Sequence, residues 1–249
     1  MKKIAILISM LAGLAGLTAS AQQTASTYKV TADFSYTSQY VFRGLKSASD
    51  AFTPSVELAV DDFHVGLWTM QPISTWQGIK PDNEIDIYAV YKQKVTSTIS
   101  VEGGATYYWY PDAQPEKTNS TSKSYELGVG ATWEYNQLNA TAYYYYDFRL
   151  ESNTLVGSVG YKFPIAKLGT SVDVVFYIGT VGSRDWKPDA LRTGQKNSYN
   201  YYGFDVSVPY HINDRAIVTA GVHYANNDNT TIDTTDNRFW FTVGLTFGF

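Results

Sequence analysis

Strict alternation over the last twelve residues, Arg238–Phe249, is the feature that most constrains how this chain can fold. The odd positions are all apolar, whereas the even positions are mostly small or polar. Successive side chains of a β-strand point to opposite faces, so this pattern predicts a strand with one apolar face. Such a strand fits either a membrane β-barrel or the last strand of a soluble sandwich, and the rest of the chain decides between them.

The N-terminus has the composition of an export signal. A short basic region precedes the almost wholly apolar stretch Ile4–Thr18, and Ala19–Ala21 has the small residues of a cleavage site. The apolar length is close to that of a transmembrane helix, but the cleavage site and the lack of a second such stretch favour a signal peptide. We therefore predict a cleaved signal peptide over residues 1–21 and a single domain over residues 22–249.

Composition excludes several classes of function. The formal net charge of −4 becomes −6 once Lys2 and Lys3 leave with the signal peptide, so we expect no nucleic-acid partner. The chain has no cysteine, which excludes disulfides and thiolate metal sites. We expect no metal and no cofactor. The 21 tyrosines fit the aromatic girdles that membrane β-barrels place at the two interfaces of the bilayer.

Period-2 alternation recurs along the whole domain. Short turns alternate with longer polar connections, as periplasmic turns and external loops do in outer-membrane barrels. An even number of strands places both ends of the domain on the periplasmic side. The predicted strands are Tyr28–Phe42, Phe52–Val60, Phe63–Gln71, Asn83–Lys94, Thr98–Tyr110, Lys123–Glu134, Gln137–Arg149, Asn153–Phe163, Thr170–Val181, Ser198–Tyr210, Arg215–Ala225 and Arg238–Phe249.

One face of these strands is apolar and uncharged. It carries pairs such as Val56 with Leu58 and Ile85 with Ile87, and no charged residue falls on it in any predicted strand body. A charge on the lipid face near the bilayer midplane would cost about 2–4 kcal/mol. The opposite face carries Gly, Ser, Thr, Tyr and isolated acids, which suits a lumen. We predict an all-β fold, a transmembrane antiparallel up-and-down β-barrel of about 12 strands.

Five motifs follow one another in order between Val30 and Asp147. They are Ser38–Gly44, Gly66–Trp68, Glu84–Tyr91, Tyr107–Pro111 and Tyr143–Tyr146. Together they resemble the TorF-type porin family, also called the Gcw_chp family, and the F-R-G and E-I-D-I-Y-A combinations are fairly specific. The resemblance implies a bacterial outer-membrane barrel with a pore role and poorly defined solutes. It thins in the last third of the chain.

The final strand, which ends on Phe249, resembles the assembly signal of bacterial outer-membrane barrels. Phe241, Phe247 and Phe249 are its candidate aromatic residues. We therefore expect the barrel assembly machinery, outer-membrane lipid and lipopolysaccharide as partners. The expected location is the bacterial cell outer membrane.

Charged residues at lumen-facing positions are the candidates for a function. Arg43 lies at the outer end of the first predicted strand, followed by Gly44 where the chain must turn. These charges either meet passing solutes or pair with one another and hold a filled barrel, and both interpretations stay open. Acids dominate the strand bodies, which favours cations. The pore-lining candidates are Arg43, Glu57, Glu84, Asp86, Glu102, Glu126, Asp147 and Arg238.

Two functions fit this sequence. The first is a porin-like channel for passive passage of small hydrophilic solutes or ions, with a weak cation preference. The second is a closed or partly plugged barrel with a structural, adhesive or partner-binding role. Lumen glycines and serines favour open space, whereas lumen tyrosines and tryptophans favour plugging. We expect no enzymatic activity, because Ser207 and His223 fall toward opposite ends of neighbouring predicted strands, beyond the reach of a nucleophile and its base.

Deleting Phe249 should strongly reduce insertion into the outer membrane, because this residue belongs to the predicted assembly signal. The measurement is the amount of heat-modifiable protein in the outer-membrane fraction. Shortening the tip of the predicted loop Asn226–Asn237 is the control, and it should leave insertion unchanged. Normal insertion without Phe249 would contradict the assembly role.

Overall fold

The computed structural model describes residues 28–75, 80–113, 122–183, 198–228 and 238–249, and nearly all of these residues lie in β-strands. The predicted signal peptide, residues 1–21, lies outside this part of the chain. A short 3-10 helix covers Ala166–Leu168. The strands are β1 Tyr28–Thr37, β2 Tyr40–Phe42, β3 Leu45–Ala48, β4 Ala51–Val60, β5 Phe63–Pro72, β6 Glu84–Lys94, β7 Ile99–Trp109, β8 Lys123–Tyr135, β9 Leu138–Asp147, β10 Ser152–Ile165, β11 Thr170–Ser183, β12 Tyr199–Asn213, β13 Ala216–Asn227 and β14 Arg238–Gly248.

Twelve of the described strands close into one antiparallel barrel, which confirms the predicted fold. Each strand pairs with the next along the chain, except that β1 pairs with both β4 and β14. The β1–β14 pairing extends to Phe249, whose backbone exchanges hydrogen bonds of 2.9 and 3.1 Å with Val30. Because the ring is closed, the sheet has no edge with unpaired N–H and C=O groups.

The connections alternate in length around the barrel as predicted. Two-residue turns join β4 to β5, β8 to β9 and β12 to β13 at the end where β1 begins. Asp61 and Asn136 have positive φ angles of 51° and 54° in two of these turns, and Asp and Asn tolerate that conformation better than most residues. The longer connections lie at the other end, which we call the outer end.

None of the helical residues described forms a segment long and apolar enough to cross a membrane.

The outer surface of the barrel carries an apolar belt. Ile178 on β11 leaves 65% of its surface exposed on this side. In water such a belt would drive association, whereas in a bilayer lipid chains cover it. Aromatic pairs lie at both ends of the belt, with ring centroids 4.8 Å apart for Phe63–Tyr91 and 5.0 Å apart for Tyr146–Phe148.

Tyrosine rings inside the barrel lie against glycines of the neighbouring strand. Tyr143 and Tyr145 of β9 face Gly130 and Gly128 of β8 in register. A Cβ atom would lie 2.1 Å from the Tyr143 ring at Gly130 and 2.6 Å from the Tyr145 ring at Gly128. The absence of that atom lets each ring rest on the wall instead of crossing the lumen. The same arrangement pairs Tyr88 with Gly66, Tyr201 with Gly179 and Tyr177 with Gly203.

The prediction that the first strand covers Tyr28–Phe42 is wrong at the outer end of that strand. β1 ends at Thr37, where the Thr37 hydroxyl donates a 2.5 Å hydrogen bond to the Gln39 carbonyl as the chain bends. Residues 40–48 then form a separate two-stranded hairpin, β2–β3. After Ser38 the apolar residues Tyr40 and Phe42 resume the alternation of Phe34 and Tyr36, so the pattern predicted one continuous strand.

Replacing Gly130 with alanine should lower the midpoint of thermal unfolding, because its Cβ would meet the Tyr143 ring at 2.1 Å. Overpacking of this kind costs about 1–3 kcal/mol. Gly157→Ala is the matched control, since a Cβ there meets only the Thr141 carbonyl oxygen at 3.5 Å. In a Tyr143→Ala background the cost of Gly130→Ala should disappear. Equal shifts for Gly130→Ala and Gly157→Ala would contradict the role of this contact.

Candidate functional site

The β2–β3 hairpin, residues 40–48, folds into the outer end of the barrel. Phe42 pairs with Leu45, which leaves Arg43 and Gly44 as a two-residue turn with φ angles of 49° and 76°. Positive φ at both central residues is the signature of a type I′ hairpin turn. Gly44 is also required by space, since a Cβ would lie 2.5 Å from the Cβ of Tyr201 on the β12 wall.

Apolar contacts hold the two sides of the hairpin against the wall. Ala48, at the end of β3, is buried with Ala51 and Met70, and Tyr40 packs on Trp68 with ring centroids 5.5 Å apart.

Near the turn, Leu45 packs against a cluster that contains Tyr199 and Tyr201 of β12. The Asn227 side chain donates a 2.7 Å hydrogen bond to the Gly44 carbonyl oxygen. The hairpin therefore contacts both the β4–β5 and the β12–β13 walls.

Arg43 crosses the lumen and pairs with Glu126 of β8. The closest distances are 2.8 Å from Arg43 Nη2 to each oxygen of the carboxylate, and Glu126 is 5% exposed. Tyr108 donates a further 3.0 Å hydrogen bond to Glu126. The guanidinium also lies over the rings of Phe42 and Tyr145, 4.7 and 5.1 Å from their centroids. The pair thus links the hairpin to a strand across the barrel from β1.

Two opposing effects act on the pKa of Arg43, which lies in the turn outside the spanning strands. Burial alone would lower the pKa, whereas the hydrogen bond and the charge of Glu126 raise it by more. The pKa of Arg43 therefore lies above its ordinary value. The guanidinium therefore stays charged, and the contact is a true ion pair. In a site of low dielectric such a pair is strong once formed, although removing either partner leaves a costly buried charge.

Three of the predicted pore-lining residues are packed at the outer end. Glu84 is buried and accepts a 3.0 Å hydrogen bond from Tyr110. Asp147 is buried and accepts hydrogen bonds of 2.6 and 2.7 Å from Ser124. Arg238 is 3% exposed. All three side chains are thus buried in this structure, and they do not line an open passage.

Tyr110 lies just beyond the end of β7. Burial and the neighbouring charge of Glu84 raise the pKa of Tyr110 well above its ordinary value. Its hydroxyl therefore stays protonated and can donate to the Glu84 carboxylate.

The other predicted lining residues face the space between the hairpin and the short turns. Glu57 lies 3.0 Å from His64 and accepts a 2.9 Å hydrogen bond from Tyr88. Glu102 lies 3.5 Å from the Lys92 ammonium, which is 44% exposed.

Asp86 points inward on β6, and its Oδ1 atom is buried without a hydrogen-bond partner in the structure. Most of the candidates are therefore packed at the outer end, whereas Glu57 and Glu102 remain partly exposed to the lumen.

A cavity of about 180 Å³ lies next to the tip of the hairpin, and we call it the tyrosine cavity. It was not anticipated from the sequence. The alternation did assign these tyrosines and glycines to the lumen face, but which of them lie side by side depends on the strand register. The residues that define the cavity are Tyr88, Glu102, Gly104, Glu126, Tyr143 and Tyr145.

His223 also has partners that the sequence did not indicate. Its Nδ1 lies 2.6 Å from Asp205, its Nε2 lies 2.9 Å from Thr242, and its ring stacks on Trp240 at 5.2 Å. Ser207 pairs with Gly221, one lumen position from His223, so the two residues are nearer than predicted. Both nitrogens of His223 nevertheless bond to other side chains.

Among the residues described, no three His, Cys, Asp or Glu side chains form an arrangement that could hold a metal ion.

A family model described as a bacterial protein of unknown function (Gcw_chp) matches residues 21–247. A search among curated proteins finds no matching relative.

Solved outer-membrane barrels share the fold at low identity. An outer membrane channel from Pseudomonas putida F1 aligns with a TM-score of 0.58 at 6% identity, covering 93% of this chain and 98% of that one. The NanC porin aligns with a TM-score of 0.55 at 12% identity, covering 88% and 98%. The KdgM porin aligns with a TM-score of 0.52 at 14% identity, covering 88% and 99%. These likenesses show that the fold is that of bacterial outer-membrane barrels.

Replacing Glu126 with glutamine should release the hairpin, because Arg43 would lose its counter-charge at a buried position. Breaking one half of a buried ion pair costs about 3–5 kcal/mol. The measurement is trypsin cleavage after Arg43 and Lys46, which the packed hairpin should resist in the wild-type barrel.

Glu57→Gln is the control for this experiment, since it removes a lumen carboxylate that contacts His64 and Tyr88 instead of the hairpin. It should leave cleavage at the wild-type rate. Equal protection of the Glu126→Gln and wild-type hairpins would show that apolar packing alone holds the hairpin.

Proposed function

This chain belongs to the Gcw_chp family of bacterial proteins, and we propose that it is an outer-membrane channel for the passive passage of small hydrophilic solutes or ions. The proposal includes export by the predicted signal peptide and a weak preference for cations. It depends on whether the barrel has room for solutes and on the charge that solutes would meet.

The observation that carries the proposal is the contact between lumen tyrosines and glycines. A tyrosine that projected from the wall would reach far across a twelve-stranded barrel. Tyr143 and Tyr145 instead lie against Gly130 and Gly128, and the tyrosine cavity of about 180 Å³ remains beside them. The lumen is therefore narrowed mainly at the outer end, where the β2–β3 hairpin enters.

Charge in the lumen favours cations. Arg43, at the tip of the hairpin, is neutralised by Glu126. Lys92 lies close to Glu102 and to the end of its strand. Apart from Glu126, which is paired with Arg43, and Asp86, which is partly buried, the acids that face the lumen within the barrel strands are Asp33, Glu57, Glu102, Asp173 and Asp205. Carboxylate linings of this kind favour the passage of cations.

The closed-barrel alternative is supported by the hairpin itself. Its apolar contacts and the Arg43–Glu126 pair occupy much of the outer end, and a permanently seated hairpin would leave a structural or partner-binding role. Electrical recording separates the two functions, since a closed barrel conducts no current.

We expect discrete conductance steps from the purified, refolded protein in a planar bilayer. Under a salt gradient the reversal potential should have the sign of a cation preference. It should decline on acidification, because protonated carboxylates no longer attract cations. It should also decline in 1 M salt, where the Debye length falls to about 3 Å.

Asp33→Asn with Asp173→Asn should weaken this preference, since both carboxylates face the lumen. Asp61→Asn is the matched control, because it removes a carboxylate from a turn at the far end of the barrel and suits the positive φ there. An anion preference would overturn the charge argument. No conductance from a correctly folded barrel would favour the closed alternative.

A further inference from the structure

Two rows of lumen residues repeat one arrangement across three neighbouring strands. In the first row Glu57, Gly66 and Tyr88 lie in register on β4, β5 and β6. The second row has the same order, Glu102, Gly130 and Tyr143, on β7, β8 and β9. In both rows the tyrosine ring lies against the glycine. The Tyr88 hydroxyl donates a 2.9 Å hydrogen bond to Glu57, and the Tyr143 hydroxyl lies 3.2 Å from the Thr132 hydroxyl. The result is an aromatic ring beside a carboxylate.

The second row forms one side of the tyrosine cavity. The rings of Tyr143 and Tyr145 lie nearly parallel, 5.9 Å apart and inclined by 13°, along the same strand. Glu102 and Glu126 supply carboxylates to the lining. The cavity thus combines the two groups that attract an organic cation, the negative face of an aromatic ring and a carboxylate.

The side chain of Arg43 already lies at one edge of this cavity, with the contacts that a bound organic cation would make. Its guanidinium pairs with Glu126 at 2.8 Å and lies 5.1 Å from the centre of the Tyr145 ring. The neighbouring part offers the same two groups, Tyr143 and Glu102. Lys92 pairs with Glu102 at 3.5 Å but is 44% exposed, so solvent screens this ion pair and a bound cation can replace it.

We propose that the tyrosine cavity binds a small organic cation, a guanidinium or alkylammonium group, between Tyr143 and Glu102. This inference deepens the proposed channel function by naming a class of solute that the lumen retains during passage. A dry cavity of about 150 Å³ accommodates benzene. The observed volume of about 180 Å³ therefore suits a guanidinium with a short alkyl chain. The carboxylates of Glu102 and Glu126 disfavour anions.

The test is isothermal titration calorimetry on the full refolded barrel in detergent micelles. The probe is ethylguanidinium chloride, and the matched control is ethylurea, which has a similar shape and no charge. Titrations with both are run at one ionic strength. Ethylguanidinium should bind at least about tenfold more tightly than ethylurea, in keeping with the strength of charge-assisted contacts. Equal binding of the two, or no binding of ethylguanidinium, would overturn the proposal.

Variants locate the site within the lumen. Glu102→Gln should weaken ethylguanidinium binding about tenfold. Tyr143→Leu should weaken it at least about threefold, whereas Tyr143→Phe, which keeps the ring, should stay within about twofold. Tyr177→Leu is the matched control, because Tyr177 lies against Gly203 in the same way but outside the cavity, and its variant should bind as the wild type does. If Tyr177→Leu weakened ethylguanidinium binding as much as Tyr143→Leu does, the assignment of the site to the tyrosine cavity would be overturned.

Current recordings distinguish this inference from the channel function. In a planar bilayer, ethylguanidinium should interrupt the current of the wild-type channel and should do so less in Glu102→Gln. Calorimetric binding without any conductance would support the cation site and reject the channel. Conductance without binding would support the channel and reject the cation site.

Discussion

Complete pairing of backbone hydrogen bonds is the constraint on which the rest of this structure depends. Water is absent from the hydrocarbon layer, so each unpaired N–H or C=O group there would cost several kcal/mol. The chain meets this condition by joining β1 to β14 as well as to β4, with the last pairing extending to Phe249. Closure then fixes which side chains face lipid and which face the lumen, since successive residues of a strand alternate between the two.

The lumen takes its shape from pairs of residues in register on neighbouring strands. A tyrosine alone would narrow the passage and a glycine alone would leave a gap in the wall. Placed side by side, as Tyr143 and Gly130 are, they give a smooth aromatic surface. Two of these tyrosines also reach polar groups two strands away: Tyr88 donates a hydrogen bond to Glu57 at 2.9 Å, and Tyr177 donates one to the Tyr224 carbonyl oxygen at 3.2 Å. Volume and polarity inside the barrel are therefore set together by strand register.

Much of this fold could be predicted from the sequence because period-2 alternation is a local property. Charge-free lipid-facing positions and alternating turn lengths followed from the same pattern, and the resemblance to the Gcw_chp family is confirmed by the family match. The bend at Ser38 and Gln39 could not be predicted, because Tyr40 and Phe42 continue the alternation while packing on Trp68 and Tyr108 inside the barrel.

Contacts between distant parts of the chain were only partly accessible from the sequence. Strand order around the ring places Arg43 opposite Glu126, and the structure brings the two together. The period-2 alternation also indicated that Glu84 and Asp147 face the lumen. It could not show their burial, which accompanies the hydrogen bonds that Tyr110 donates to Glu84 and Ser124 donates to Asp147.

The Arg43–Glu126 pair has a mechanical consequence for the barrel. A cylinder of twelve strands can flatten into an ellipse without breaking any hydrogen bond between strands, and the lateral pressure of the bilayer acts on it from all sides. The hairpin is covalently continuous with β1 and β4, while Glu126 belongs to β8 across the ring. This internal brace therefore resists flattening of the cylinder along one diameter at its outer end.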